Sequence, residues 1–218
     1  MHEYTSGYST RYFYYTSVTG GLISGHSDSA DSNPYDMGSY SGTTYIQNYR
    51  SNIQIDITPG GGGAGGQTVE VTIGDPTSTT TNSYLPGYSL YDYAFSQQIY
   101  TADEIGTAGT INSLTMWLKN SSSYARNLNV YMKEVSESTF ASNTSWVSMT
   151  ASDMVGSFTM PNGVSTPVET AITLSTPFAY SGNGNLVICF QDVTGQWSSG
   201  LAGVTMAANG NQAIYAYR

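Results

Sequence analysis

The sequence contains few charged residues. Asp, Glu, Lys and Arg make up 10% of its 218 residues, whereas about 25% is typical of a globular domain. The six basic residues are spread thinly along the chain, and the net charge is −9. Because nucleic acids and anionic membrane surfaces bind clustered Lys and Arg side chains, this composition argues against both classes of partner.

Cysteine and histidine are scarce as well. Cys189 is the single cysteine, so an internal disulfide is excluded, and its position in the apolar run LVICF predicts a buried side chain. The two histidines are His2 and His26. His26 lies beside Ser and Asp in one loop, whereas a catalytic triad brings these groups together from separate elements. No pair of carboxylates is placed across a cleft either, and we therefore expect no enzymatic activity.

Long apolar runs are missing. No stretch approaches the ~20 apolar residues of a membrane helix, so a membrane-spanning protein is not expected. The first residues also lack the basic and apolar segments of a signal peptide. The surface is instead built from Ser, Thr, Asn, Gln, Gly and 19 tyrosines. Such a polar surface without strong charge favours an extracellular or cell-surface location.

A glycine stretch divides the chain. Residues 52–57 and 68–73 flank it, and both alternate apolar and polar side chains with the period of a half-buried strand. The glycines adopt almost any backbone angles and predict a hinge. We therefore predict a β arm over 1–57, a hinge over 58–67 and a β-sandwich body over 68–218. The hinge glycines are Gly60, Gly61, Gly62, Gly63, Gly65 and Gly66.

Short strands with turn signals between them follow along the body. The predicted strands cover 69–73, 94–100, 111–118, 127–135, 154–160, 170–174, 186–193, 204–208 and 212–217. Thr101, Glu104 and Gly106 predict a single capped helical turn after the second of these strands. Regular short strands of this kind predict an all-β fold, an antiparallel β-sandwich.

Four segments of the body carry a family resemblance. They are YAFSQQIYTADEIG (93–106), INSL (111–114), RNLNVYM (126–132) and TPFAYSGNGNLV (176–187). They resemble a recurrent module of large secreted and surface proteins of Bacteroidetes, related in style to jelly-roll adhesin domains, over about residues 75–218. The resemblance implies a jelly-roll-like extracellular β-sandwich used in adhesion, glycan contact or display, and it implies no catalytic residues.

The resemblance also implies a permuted order. In such modules the strand similar to 212–217 is followed by a polar loop and a closing strand, and here residues 1–57 supply that pattern. The arm can complete its own body, or that of a neighbouring copy by strand complementation, and the second route builds a head-to-tail fibre. We expect the fibre, with a monomer as the alternative. The predicted assembly residues are Tyr12, Phe13, Tyr14, Tyr15, Ile53, Ile55 and Ile57.

Exposed aromatic rings suggest a second function, glycan binding by a monomeric module. Ring faces stack on the C–H surfaces of sugars. Tyr84, Tyr88 and Tyr91 share one loop, and Trp197 lies in a glycine-rich loop. These residues are the predicted glycan-binding set, although the same rings would also serve to cover the ends of a sandwich.

The arm contains two further candidate sites. Asp28, Asp31 and Asp36 offer carboxylate ligands for calcium within nine residues, but they do not match the EF-hand loop. Without calcium we expect no cofactor. The sequence Asp28-Ser29-Ala30 resembles the short O-glycosylation motif of Bacteroidetes, with Ser29 as the acceptor.

Overall fold

The computed structural model describes residues 43–60 and 67–217, and its regular structure is almost entirely β. The strands are β1 (Thr44–Gln47), β2 (Tyr49–Ser51), β3 (Ile53–Pro59), β4 (Val69–Ile73), β5 (Thr81–Asn82), β6 (Ala94–Tyr100), β7 (Gly109–Asn120), β8 (Arg126–Val135), β9 (Met154–Met160), β10 (Val164–Tyr180), β11 (Asn185–Asp192), β12 (Leu201–Ala207) and β13 (Ala213–Tyr217). A helical turn, α1 (Ala102–Ile105), and a 3-10 turn, Ala151–Asp153, complete the described elements.

The first sheet has six strands in the order β1-β13-β6-β11-β8-β9, and every pairing in it is antiparallel. β6 and β11 lie at its centre and are nearly continuous in buried residues. β1, which follows directly on the N-terminal segment, forms one edge of this sheet. The N-terminal part of the chain therefore contributes an edge strand to a sheet otherwise built from the body.

The second sheet has seven strands. Its main order is β2-β12-β7-β3-β4, with β10 paired to the other side of β7 and β5 paired to β12. β3 lies between β4 and β7, in antiparallel register with both. β3 is thus an internal strand of the sheet, although it precedes the body in sequence.

The main core lies between the two sheets. Alternating residues of β3 enter it, together with apolar residues of β7, β8 and β11, such as Leu114, Val130, Ile188 and Phe190, all 0% exposed. This arrangement confirms the antiparallel β-sandwich that the sequence predicts. No helix among the described residues is long and apolar enough to cross a membrane.

A smaller apolar cluster covers the outer face of the first sheet. Phe140 and Met149, from the segment between β8 and β9, pack on Phe95, Val187 and Cys189. Cys189 is fully buried, and burial raises the pKa of its thiol well above the usual value. The thiol side chain therefore occupies an apolar packing position, as the sequence predicts.

The predicted hinge, residues 58–67, overlaps the end of β3. Thr58 and Pro59 belong to β3, and the register of Ile57 with Val69 makes β3 and β4 adjacent antiparallel strands. The glycine stretch thus connects the two strands of a hairpin within one sheet. Gly60 is exposed, and the other five hinge glycines lie outside the described residues.

Candidate functional site

The described part of the arm, residues 43–59, is built into the body. Ile53, Ile55 and Ile57 alternate with outward-facing Gln54 and Asp56, and all three isoleucines are 0% exposed. Their strand pairs with β7 on one side and β4 on the other. On the outer face, the Ser113 hydroxyl donates a hydrogen bond to the Asp56 carboxylate. The arm therefore contributes buried side chains to the hydrophobic core as well as backbone hydrogen bonds to the sheet.

Arg50 joins the arm to the body through polar contacts. Its guanidinium is 0% exposed and donates hydrogen bonds to the Ile99 carbonyl oxygen and the Glu104 carboxylate. It also lies 4.6 Å from the centre of the Tyr100 ring, a cation–π contact. The Tyr100 hydroxyl in turn donates to the Ser51 carbonyl oxygen at 2.9 Å.

The capping box of α1 positions the partner of Arg50. The backbone N–H and the hydroxyl of Thr101 both donate to Oε2 of Glu104, at 2.9 and 2.7 Å, which leaves Oε1 to accept from Arg50. Burial alone would raise the pKa of Glu104, but the hydrogen bonds from Arg50 and Thr101 outweigh burial and lower it. The carboxylate is therefore charged at neutral pH, and the buried arginine has a counter-ion.

Six tyrosines gather at the β1–β13 edge of the sandwich, and we call them the tyrosine cluster. Ile214 and Ala216 of β13 pack in the outer apolar cluster, so strand alternation turns Tyr215 and Tyr217 toward the opposite face. Tyr45 of β1 pairs with Tyr215. The members are Tyr45, Tyr84, Tyr88, Tyr91, Tyr215 and Tyr217.

Five of these rings lie nearly parallel in a compact group. The centroids of the pairs Tyr84–Tyr215, Tyr215–Tyr45, Tyr45–Tyr217 and Tyr217–Tyr91 are 4.7, 4.9, 5.5 and 4.2 Å apart, with interplanar angles of 12–26°, and Tyr215 and Tyr217 are 6.1 Å apart. Tyr88 packs against this group, tilted relative to Tyr84 and Tyr91. Burial is the main cause that raises the pKa of Tyr88, Tyr215 and Tyr217. The hydroxyls of these three tyrosines are therefore neutral at physiological pH.

A buried ion pair fixes the loops next to the tyrosine cluster. Arg126 and Asp192 are both 0% exposed in their side chains, and two guanidinium nitrogens donate to the same carboxylate oxygen at 2.8 and 2.5 Å. Arg126 also donates to the carbonyl oxygens of Tyr91 and Gln196. Burial raises the pKa of Asp192, while Arg126 and the hydrogen bonds from Thr194 oppose that rise.

Trp197 lies on the second loop held by Arg126. The two loops are joined by backbone hydrogen bonds from Ser198 to Ser89 and from Gly195 to Asp92, at 2.9 and 3.0 Å. The side chain of Trp197 is 67% exposed, the largest value among the exposed large apolar residues of the described chain. Trp197 is therefore held on the loop next to the one that carries Tyr88 and Tyr91.

The structure extends the predicted aromatic set. It joins Tyr84, Tyr88 and Tyr91 in one cluster and places Trp197 on the adjoining loop. Sequence reasoning missed Tyr45, Tyr215 and Tyr217. The alternation in AIYAY (213–217) indicates that Tyr215 and Tyr217 share one face of β13. Only strand pairing brings Tyr45 to the same place.

Several predicted residues lie outside the described chain. They are the assembly residues Tyr12, Phe13, Tyr14 and Tyr15, the calcium candidates Asp28, Asp31 and Asp36, the O-glycosylation candidate Ser29, and both histidines. Within residues 43–60 and 67–217, no three His, Cys, Asp or Glu side chains are grouped so that they could hold a metal ion.

Comparison with known proteins leaves the chain without an assigned family. No family model, no curated protein and no solved structure matches it. The features that bear on function are therefore the arm, the tyrosine cluster and the loops that Arg126 holds.

Proposed function

We propose that the chain is a non-enzymatic structural and adhesive protein of the cell exterior, whose copies join head to tail by exchange of the arm. One observation carries the proposal. β3 is an internal strand of the second sheet, and a glycine-rich segment connects it to the rest of the chain. The sparsely charged surface and the resemblance to Bacteroidetes adhesin modules support the extracellular location.

Arm exchange would preserve the contacts of the single chain. If residues 43–59 of one copy occupied the same place in another, then β1, β2 and β3 would keep their partners β13, β12 and β7. The buried contacts of Arg50 and of the three isoleucines would also be kept. Because exchanged and unexchanged forms have the same contacts, they differ mainly in the connecting segment, which is the condition for low-cost domain swapping.

Concentration decides between the two forms. A short glycine-rich connection gives the arm an effective concentration in the mM range for its own body, so a dilute solution favours the closed monomer. Exchange therefore requires copies crowded at a surface, or arms that dock while the chains are folding together. An open chain of exchanged copies is a fibre, because a head-to-tail contact of this kind does not close on itself.

The test uses an engineered cross-link between arm and body. Asp56 and Ser113 are directly paired across β3 and β7, and their side chains touch. The full-length chain with Asp56→Cys, Ser113→Cys and Cys189→Ala is unfolded, refolded at about 1 mM, which matches the effective concentration of the arm, and oxidised. We expect a ladder of covalent oligomers on a non-reducing denaturing gel.

The control is the chain with Asp56→Cys and Cys189→Ala alone, which can form covalent dimers but no ladder. If the double-cysteine chain yields only an internally cross-linked monomer after refolding at high concentration, the fibre proposal is wrong. Reduction of the disulfides must convert the ladder to a single monomer band. This result distinguishes arm exchange from irreversible aggregation.

The tyrosine cluster favours a second candidate function, contact with glycans by the same sandwich as a monomer. Aromatic rings at the edge of a β-sandwich suit a sugar, because a ring face packs on its C–H surface. Titration of the gel-filtered monomer with soluble polysaccharides, followed by isothermal calorimetry, tests this candidate without reference to assembly.

A further inference from the structure

Most rings of the tyrosine cluster are covered by their neighbours. Tyr45 lies 4.9 and 5.5 Å from Tyr215 and Tyr217, at 12° to each, and Tyr215 also packs on Tyr84. Tyr215 is only 4% exposed, whereas Tyr91 is the most exposed member of the cluster. Tyr91 is therefore the ring of the cluster that is most accessible to a ligand.

Tyr91 lies in the loop next to that of Trp197. It packs on Tyr217 at 4.2 Å and 26° and is itself 36% exposed. The Arg126 guanidinium donates hydrogen bonds to the carbonyl oxygens of Tyr91 and Gln196, the residue before Trp197. One buried cation thus holds the backbone at or next to both exposed aromatic residues.

We infer that Tyr91 and Trp197 form a binding platform for the pyranose rings of a neutral glycan, with Tyr45, Tyr215 and Tyr217 as its support. Aromatic faces pack on the C–H surface of a sugar ring, and two rings on adjoining loops can contact two sugar units of one chain. The inference rests on the second candidate function, glycan contact, and is independent of arm exchange.

Charge favours a neutral glycan over an acidic one. The cation that holds these two loops, Arg126, is fully buried and already paired with Asp192, so it is not open to the carboxylate or sulfate of a ligand. The chain as a whole carries a net charge of −9, which repels polyanions. The hydroxyls of Tyr88 and Tyr217, whose pKa values burial raises, are uncharged groups beside the platform.

Leu90 offers a control variant that distinguishes glycan binding from a general apolar contact. It lies between Tyr88 and Tyr91 in the same loop and is 38% exposed, close to the 36% of Tyr91. Leu90→Ala removes a similar apolar area without removing an aromatic face. An apolar protein partner would lose contact with either residue, whereas a sugar that stacks on rings depends on Tyr91.

The experiment measures affinity for named polysaccharides on the full-length monomer. The probes are soluble β-glucan, xylan, mannan and amylose, with polygalacturonate as the acidic comparison, and Trp fluorescence and calorimetry report binding. We expect binding to at least one neutral polymer, about 10-fold loss for Tyr91→Ala and for Trp197→Ala, and little change for Tyr91→Phe or Leu90→Ala. Binding should also be insensitive to salt.

Three results would overturn the inference. They are the absence of binding to every neutral polymer, binding of polygalacturonate alone, and equal losses for Leu90→Ala and Tyr91→Ala. Circular dichroism and the unfolding midpoint of each variant establish that it is folded. Because the assay uses monomer, a negative binding result does not contradict arm exchange. A negative cross-linking result likewise does not contradict sugar binding.

Discussion

Arg50 and Arg126 are completely buried cations, and each connects parts of the chain that are distant in sequence. A buried ion pair contributes little net stability because desolvation offsets the attraction, but removal of one partner is costly. Arg50 binds the arm to α1, and Arg126 binds two loops to the first sheet. Their contribution is therefore to fix which segments meet.

Glu104 gives a pH-dependent prediction at the residue scale. Its folded pKa is lowered, mainly by Arg50 against the effect of burial, so its stabilising contribution is present above the unfolded value of about 4.3 and is lost as pH falls through the folded value. Glu104→Gln keeps a capping side chain but removes the charge. We expect a loss of about 1–2 kcal/mol at neutral pH, discounted because Glu104 is partly exposed.

The measurement is the free energy of unfolding by denaturant at neutral pH and near pH 3. The difference between wild type and Glu104→Gln should become smaller as the pH falls through the folded pKa of Glu104, because the wild-type carboxylate then loses its charge. Glu70→Gln, at an exposed position of β4, is the matched control and should have little effect at either pH. A loss that stays constant with pH would contradict the assigned role of the charge.

At the element scale, β3 and β4 form one hairpin but contribute unequally to the core. β3 buries every second residue completely, whereas β4 is largely exposed and contributes Ile73 as its buried residue. β3 is flanked by strands on both sides, while β4 lies at the edge of the sheet. The stability of the second sheet therefore depends on the arm strand more than on the first strand of the body.

Ile55→Ala tests this difference. Ile55 is 0% exposed in the main core, and truncation of a buried isoleucine typically costs about 2–5 kcal/mol through lost transfer energy and the cavity left behind. Val69→Ala on β4, where the side chain is 43% exposed, should change stability by less than about 0.5 kcal/mol. Denaturant unfolding measures both, and similar small losses would contradict the central position of β3.

On the scale of the whole molecule, the acidic surface opposes assembly. The chain has 15 acidic and six basic residues, and of the basic residues Arg50 and Arg126 are buried and paired, so few cations are left to offset the acidic side chains. Copies that approach one another therefore repel, and this repulsion falls off within a Debye length.

Salt should consequently promote arm exchange. When ionic strength rises from about 0.01 M to about 0.1 M, the Debye length falls from ~30 Å to ~10 Å, and we expect the double-cysteine chain to give longer ladders at a fixed protein concentration. Densitometry of the gels at several salt concentrations measures the effect. Ladders that shorten with salt would indicate that attraction between charges, and not arm exchange, joins the copies.

The local patterns of the sequence predicted much of the fold. Period-2 alternation located β3 and β4, and the order Thr101, Glu104, Gly106 located α1 with its caps. These features depend on neighbouring residues alone. β1 was missed because a short, polar edge strand resembles a loop in sequence.

β10 shows where local patterns fail. The sequence predicted a strand over 170–174, but β10 runs over Val164–Tyr180. Pro167 and Pro177 interrupt the strand pattern, and the pairing with β7 shifts register in the intervals that contain them. Proline is accommodated at such irregularities because it cannot donate a ladder hydrogen bond. The strand continues because β7 pairs with the residues on either side of each proline.

The sequence by itself determined that this protein is a β-sandwich with an arm strand of alternating isoleucines, because side-chain alternation and turn residues act locally. Only the tertiary structure decided which groups meet. It joined Tyr45 to Tyr215 and Tyr217, gave Arg50 and Arg126 their partners, and paired β3 with β4. These contacts link residues far apart along the chain, and their energies depend on packing and burial, which no local pattern encodes.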